Sequence, residues 1–162
     1  MKRIVIRLPV DRRQVGHLSV LDDDRVVLAG IPARGKADNG TAKARGNPER
    51  LPAMPFGDTP AGVWHGCRVV KFAAPVAGLG AAWIALDKPW SGDAVQAQIN
   101  GRSGLGIHGG RGNGDLVATQ GCVRVRDDDF ARIADAVGGD EFWVDVIDQE
   151  DTSAGPWSGR PR

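Results

Sequence analysis

The residues best suited to covalent chemistry lie in one glycine-rich stretch, between Gly106 and Phe130. His108 opens this stretch and Cys122 follows in its second half. Cysteine attacks a carbonyl as a thiolate, and an adjacent imidazole can lower the thiol pKa and take its proton. We therefore expect Cys122 to be a nucleophile that His108 keeps in its thiolate form.

The residues beside the cysteine supply further groups that such a reaction needs. Gly121 allows a sharp turn, so the backbone amides of Gln120, Gly121 and Cys122 can converge on one developing oxyanion. Arg124 offers a planar pair of donors that fits a carboxylate. On an extended segment it would share the face of Cys122. The alternative is that Arg124 braces the turn by pairing with Asp127 or Asp128.

Two motifs in this order resemble the L,D-transpeptidases, the YkuD-like catalytic domain of bacterial cell-wall enzymes. The first combines His108-Gly109 with Thr119–Arg124, which reads Thr-Gln-Gly-Cys-Val-Arg. The second is Thr59–Trp64, which reads Thr-Pro-Ala-Gly-Val-Trp and lies at the expected distance upstream. The resemblance covers roughly Ile4 to Ile147, which is most of the chain.

The resemblance implies a fold, a reaction and a set of roles. The implied fold is a YkuD-like β sandwich, and the substrates are peptidoglycan stem peptides that form a thioester with Cys122. It implies that the Gly109 carbonyl orients the His108 imidazole, and that Arg124 and Thr119 bind substrate. Neither a metal nor a cofactor is expected.

The chain length of 162 residues fits a single domain with a sizeable core. We expect a catalytic domain over residues 1–148. Residues 149–162 carry no core-forming pattern and are expected to be an exposed tail.

The local patterns predict a mainly β fold with one or two helices. Strands are predicted at Lys2–Val10, His17–Ala29 (as a hairpin), Thr59–Phe72, Ala81–Leu86, Leu105–Gly109 and Glu141–Ile147. Asp127–Val137 is the clearest helix, because its apolar residues recur at helical spacing behind an acidic first turn. Ala94–Asn100 fits a strand or a single helical turn. Gly30–Asp58 reads as a long connection, either a rim of the substrate cleft or a disordered insertion.

Composition limits the partners and the location. A net charge of +1 is not that of a nucleic-acid-binding protein. No stretch is apolar enough to span a bilayer, and the basic N-terminal run is broken by Arg7 and Pro9, unlike a signal peptide. Because the substrate of the resembled family is extracytoplasmic, we expect a monomer that acts in the periplasm or cell wall. We expect either that a leader was removed or that the protein leaves by a route that reads no N-terminal leader. Type VI secretion is one such route, and an effector of that kind would have an immunity protein as its partner.

A second histidine and cysteine, His65 and Cys67, lie on a predicted strand. We favour a structural role for both, because no glycine-shaped turn aims backbone donors near them. A disulfide between Cys67 and Cys122 would consume the proposed nucleophile. A zinc site formed by the two pairs is disfavoured by the tight spacing of His65 and Cys67.

The expected function is a cysteine-dependent peptidoglycan L,D-transpeptidase that acts on tetrapeptide stems. The alternatives are an L,D-carboxypeptidase or D-amino-acid-exchange effector aimed at rival cell walls, and a catalytically silent wall-binding domain. His108 and Cys122 favour an enzyme, since a binding domain needs neither.

Overall fold

The computed structural model describes residues 1–150 and contains ten strands and three helices there. The strands are β1 Lys2–Pro9, β2 Gly16–Asp22, β3 Arg25–Ala33, β4 Gly62–Cys67, β5 Val69–Val76, β6 Gly80–Ala85, β7 Pro89–Ser91, β8 Gly106–His108, β9 Val123–Arg124 and β10 Phe142–Gln149. The helices are α1 Asn39–Ala44, α2 Asp93–Ile99 and α3 Asp127–Val137. The mainly β fold is confirmed, with one helix more than expected.

Two mixed sheets enclose the core. The larger sheet has the order β3-β2-β1-β10-β4-β7, and the smaller has the order β5-β6-β8-β9. The pairs β1–β10 and β8–β9 are parallel, and the other neighbours are antiparallel. Alternation along each strand sends one face inward, and the apolar side chains of that face are fully buried. They include Ile4, Ile6, Val144, Ile84, Ile107 and Val123.

The helix α3 has the predicted bounds, Asp127–Val137, and buries Ile133 and Val137 against the sheets. It ends at Gly138, whose φ of 71° is a conformation that favours glycine. Ala94–Asn100, which the sequence leaves open between strand and helix, belongs largely to α2. Among the described residues, no helix is both long and apolar enough to cross a membrane.

The connection at 30–58 is more ordered than its composition indicates. The strand β3 continues to Ala33, isolated bridges join Arg34 to Arg124 and Ala37 to Thr119, and α1 follows. The two bridges join residues more than 80 positions apart in sequence, so a local pattern could not reveal them. The segment therefore packs against the predicted catalytic loop.

The expected domain boundary falls at the end of β10. Gln149 is still paired in this strand, opposite Pro9 of β1. Residues 151–162, most of the proposed tail, lie outside the described part of the chain.

Candidate active site

The adjacent parallel strands β8 and β9 bring the histidine and the cysteine segments together. Ile107 pairs with Val123, and His108 pairs with Arg124. Ile107 and Val123 point into the core, where both are completely buried. Because successive side chains alternate between faces, His108 and Arg124 point to the opposite face of the sheet.

A cavity of about 530 Å³ opens on that face. The predicted site residues that line it are His108, Thr119, Gln120, Cys122 and Arg124. Gly109 and Gly121 contribute through their backbones, as described below. The fold thus brings His108 and side chains of the Thr119–Arg124 segment to the wall of one cavity.

His108 is held as a neutral base, and its Nε2 forms no hydrogen bond within residues 1–150. Its side chain is 2% exposed, and Nδ1 lies 2.8 Å from the carbonyl oxygen of Gly109. A carbonyl only accepts, so Nδ1 carries the proton and Nε2 can receive one. Burial lowers the pKa of His108, the bond to Gly109 raises it, and the charge of Arg124 lowers it. The neutral imidazole is therefore favoured at neutral pH.

Cys122 is a nearly buried thiol, 8% exposed, whose Sγ lies 3.4 Å from the carbonyl oxygen of Gly104. No hydrogen bond joins it to His108 within residues 1–150. Burial raises the pKa of Cys122, and a bond from the Gly106 amide and the charges of Arg102 and Arg124 oppose that rise. Because burial penalises both charged forms, these pKa shifts favour a thiol and a neutral imidazole as the resting state of the pair. This differs from the preformed thiolate that we expected from the sequence.

Hydrogen bonds from two threonines shape the turn before the nucleophile. The hydroxyl of Thr119 donates to the Cys122 carbonyl and accepts from the Gly121 amide, each at 2.9 Å. Thr59, from the second motif, donates to the Gly121 carbonyl at 2.6 Å. Gly121 has a φ of 112°, which residues with a side chain rarely adopt. The Thr119 hydroxyl is therefore engaged within the turn, and Thr119 also lines the cavity, where a substrate contact stays a prediction.

The occupied Gly121 amide changes the expected oxyanion site. Because this amide already donates to Thr119, it is not free to meet an oxyanion. The amides of Gln120 and Cys122 donate no hydrogen bond within the described residues. These two amides remain as candidate donors.

Arg124 is almost fully buried, at 4% exposure, and bonds to backbone carbonyls. Its Nε donates to Val117 at 3.0 Å, and Nη1 donates to Gly109 at 2.6 Å and to Gly78 at 3.3 Å. Neither of the two aspartates proposed as alternative partners forms an ion pair with it in the described part of the chain. Arg124 braces the same carbonyl that orients His108, so only part of its guanidinium is available to a substrate carboxylate.

Asp127 fixes the loop that follows the histidine. Its carboxylate accepts from the amides of Gly110 at 2.6 Å and Gly112 at 3.0 Å. A Cβ on Gly109 would overlap this carboxylate, so the His-Gly motif needs its glycine for space. The Gly110 amide and the Gly109 carbonyl belong to one peptide group, so Asp127, the first acid of α3, holds that carbonyl in place. Its negative charge also interacts favourably with the N-terminal end of the helix dipole.

Trp83 is a wall of the cavity that the sequence analysis missed. It pairs with His108 across β6 and β8, and a Cβ on Gly106 would overlap its indole ring. An isolated glycine in a strand often marks a place where another group approaches the backbone closely. Gly106 was therefore the one sequence feature that could have indicated a bulky neighbour here. Asp38 and Thr41, from the connection at 30–58, also line the cavity. The rim hypothesis for that segment fits this placement.

The second His and Cys pair lies in the larger sheet and is built for packing. Cys67 is 1% exposed in the core, and both cysteines are free thiols. His65 packs against Trp90 and Trp143, with ring centroids 5.3 and 5.6 Å apart. No cluster of three or more metal-ligating side chains occurs within residues 1–150. Because both thiols are free, the alternative of a disulfide between Cys67 and Cys122 is wrong for this structure.

Alkylation should distinguish the two thiols. Burial raises the pKa of Cys67 to about 12, whereas Cys122 borders a cavity and has a base on the same wall. We expect iodoacetamide near neutral pH to modify Cys122 about tenfold faster or more. Peptide mapping by mass spectrometry measures both rates, and the unfolded protein is the control in which they should converge. Equal rates in the folded protein would mean that Cys122 is not activated.

Comparison with known proteins gives a family match and a fold match. The model of the YkuD family, the L,D-transpeptidase catalytic domain, matches residues 10–146. Among solved structures, Bd1075 from Bdellovibrio bacteriovorus is similar with a TM-score of 0.56 and 19% identity, over 91% of this chain and 48% of that one. The helical cell shape determining protein Pgp2 from Campylobacter jejuni has a TM-score of 0.54 and 15% identity, over 93% and 49%.

These two structural similarities, at low identity, concern the fold. The chain spans about half the length of both proteins. No curated protein matches the sequence.

Proposed function

The chain belongs to the family of L,D-transpeptidase catalytic domains, and we propose that it transfers peptidoglycan tetrapeptide stems through a thioester on Cys122. The family acts on peptidoglycan, which gives the substrate class. The proposal adds the nucleophile, the base and the stem. It also places the activity in the periplasm or cell wall, where that substrate lies, and assigns it to residues 1–148.

A single observation carries the proposal. Cys122 and His108 line one cavity, and the Gly109 carbonyl leaves His108 Nε2 free to take a proton. A nucleophile beside a base that a third group orients is the arrangement of covalent acyl transfer. A wall-binding domain would gain nothing from a thiol and an oriented imidazole in its cavity.

In the first half-reaction, His108 Nε2 removes the proton of Cys122 as the thiol turns from Gly104 toward the substrate. The thiolate attacks the carbonyl between the third residue and the terminal D-alanine of a tetrapeptide. Collapse of the tetrahedral intermediate breaks the peptide bond, and the His108 imidazolium protonates the leaving amine. D-alanine departs and a thioester remains on Cys122.

Charge develops on the carbonyl oxygen during this attack. The Gln120 and Cys122 amides are the donors left for it, because Gly121 donates to Thr119. A preorganised donor of this kind contributes roughly 3–4 kcal/mol in other hydrolases. The threonine bonds matter here because they hold the turn in place before substrate arrives.

In the second half-reaction, an acceptor attacks the thioester while His108, neutral again, removes a proton from it. The C–S bond then breaks, and the His108 imidazolium returns that proton to the departing sulfur, which restores the Cys122 thiol and the neutral imidazole. An amine of a neighbouring stem gives a cross-link, water gives trimming, and a free D-amino acid gives exchange. These products have different masses, so one experiment separates the three activities.

The test is to incubate the protein with a purified tetrapeptide-bearing muropeptide and measure its intact mass. We expect an adduct equal to the muropeptide without its D-alanine, with that D-alanine released. A second muropeptide, water or a D-amino acid should then discharge the adduct. Binding without a covalent adduct and without D-alanine release would instead favour the wall-binding domain.

Replacing Arg124 tests its two roles, bracing backbone carbonyls and binding a substrate in the cavity. We expect Arg124→Met to leave the Val117 and Gly78 carbonyls unsatisfied and the Gly109 carbonyl with only its bond to His108, at about 2–4 kcal/mol in total. The melting temperature should then fall by about 5–15 °C. Alkylation of Cys122 should slow together with acylation, because the Gly109 carbonyl that orients His108 is no longer braced. Arg124→Lys should recover part of each loss.

The matched control is Arg111→Met, which removes another positive charge from the cavity wall. The Arg111 side chain makes no hydrogen bond within the described residues, so its loss should leave the melting temperature nearly unchanged. If Arg124→Met slowed acylation alone, with stability and alkylation intact, Arg124 would serve only to bind substrate.

A further inference from the structure

Arg102 is a buried cation that the proposed mechanism does not use. It follows α2 and is 6% exposed. Its Nη1 donates to the carbonyls of Pro52 at 2.5 Å and Asp58 at 2.7 Å, and its Nη2 donates to the carbonyl of Gly57. No carboxylate forms an ion pair with it within residues 1–150. Burying a cation is costly without a directly paired counter-charge, and the negative charge of Asp58 offsets only part of the burial that lowers the pKa of Arg102.

The guanidinium lies directly against the nucleophile turn. A Cβ on Gly121 would overlap both Nη2 of Arg102 and the Gly57 carbonyl. The glycine before Cys122 therefore does more than adopt a positive φ, since it also admits the cation next to the nucleophile. This contact joins three parts of the chain: the 50–58 segment, the end of α2 and the turn.

Arg102 approaches from outside the catalytic cavity. It does not line that cavity but borders a separate cleft of about 80 Å³, together with Trp64 and Leu105. The guanidinium is therefore not among the groups that a substrate in the catalytic cavity would contact. An effect of Arg102 on the thiol can thus be measured apart from substrate binding.

The other charged groups near Cys122 come from different elements. His108 on β8, Arg124 on β9, Arg111 in the loop after β8 and Asp38 before α1 all line the cavity. His108 is favoured in its neutral form, and Arg124 is engaged with backbone carbonyls. Burial lowers the pKa of Arg102 to about 10, so it stays charged at neutral pH, and its charge lowers the pKa of Cys122.

We propose that Arg102 is a positioning residue whose fixed charge, packed behind Gly121, favours the thiolate of Cys122. It compensates in part for the burial of the thiol, and so eases proton transfer to His108. The same guanidinium secures the 50–58 segment against the turn. The proposal rests on Cys122 as the proposed nucleophile, but not on the identity of the acyl donor.

The test is the pH dependence of Cys122 alkylation by iodoacetamide, followed by peptide mapping. In Arg102→Met the midpoint should rise by about one pH unit, which slows the reaction about tenfold below the midpoint. Arg102→Lys keeps a charge and should shift the midpoint less. An unchanged midpoint in folded Arg102→Met, or equal shifts in Met and Lys, would overturn the proposal. If Arg102→Met does not fold, Arg102→Gln replaces it in the comparison with Arg102→Lys.

Arg12 provides the matched control. It is another buried arginine, 4% exposed, and it donates to the Thr59 carbonyl at 3.0 and 3.2 Å and pairs with Asp148. Arg12→Met should lower the melting temperature without moving the alkylation midpoint. A shift as large as that of Arg102→Met would assign the effect to general loosening and overturn the proposal.

Alkylation and acylation separate the two proposals. A pH shift in a protein that never forms the muropeptide adduct would leave the role of Arg102 standing and reject the proposed function. If the wild-type protein forms the adduct but the alkylation midpoint of Arg102→Met is unchanged, the proposed function stands and the role of Arg102 is rejected.

Discussion

Cys122→Ala is expected to abolish the covalent adduct with a tetrapeptide muropeptide and the release of D-alanine. The substitution removes the sulfur of the proposed nucleophile, and within residues 1–150 no other side chain on the cavity wall is a thiol. The loss should therefore be complete within detection, unlike the partial losses of residues that assist. Intact-protein mass spectrometry after incubation measures the adduct directly.

The fold should survive this change. Cys122 is a small side chain at the edge of a cavity, so its truncation should cost on the order of 1 kcal/mol or less. The melting temperature should then change by no more than a few degrees. Circular dichroism and a thermal melt would verify that the lost adduct reflects chemistry.

Cys67→Ala is the matched control, because it removes the other thiol. Cys67 lies in the core, so its truncation should lower stability while the adduct still forms. An adduct in Cys122→Ala, or the loss of the adduct in Cys67→Ala with a stable fold, would assign the nucleophile to the wrong cysteine.

His108→Ala is expected to slow acylation about 10²- to 10⁴-fold at neutral pH, the range of general acid–base catalysis. Without the imidazole, Cys122 must lose its proton to solvent, and burial has raised its pKa. Part of the activity should return under alkaline conditions, above the ordinary thiol value of about 8.5. The rate of adduct formation as a function of pH measures both effects.

The alkaline branch separates the two roles of the imidazole. If activity does not return at high pH, His108 is also required to protonate the departing amine. If His108→Ala is as active as the parent at neutral pH, His108 has no part in the reaction.

The acid side of the profile follows from the direction of the His108 shift. Burial lowers the pKa of His108, so the neutral base persists below the ordinary imidazole value of about 6.5. The acid limb of wild-type acylation should therefore lie below that value. The corresponding contribution to stability is present above pH 6.5 and is lost as the pH falls through the folded pKa. His108→Gln should remove this part of the acid sensitivity in a thermal melt.

The sequence by itself was enough for features that depend on local chemistry. The helix α3 has its predicted bounds because its apolar spacing, its acidic first turn and its terminal glycine all act within a few residues. The motif around Cys122 likewise places a thiol, a turn glycine and an arginine by spacing alone. The family and the mainly β fold followed from these motifs and from the strand patterns.

The tertiary structure decided which atoms these residues bind. Arg124 was expected to meet a substrate carboxylate or an acid of α3, yet it bonds to carbonyls at Gly78, Gly109 and Val117. The hydroxyl of Thr119, which is predicted to contact substrate, also closes the turn. A side chain can choose among many acceptors within reach, and the choice depends on loops that are distant in sequence.

Burial was the other property that required the fold. Composition and spacing suggested a thiolate beside the imidazole, whereas the packing of β8, β9 and the surrounding loops disfavours charge on both groups. The same packing brings Trp83 onto Gly106 and Arg102 onto Gly121. Both glycines are visible in the sequence, but what fills the space beside each is set by chain segments 19 to 64 residues away. Such contacts arise from strand register and loop docking, which no local pattern encodes.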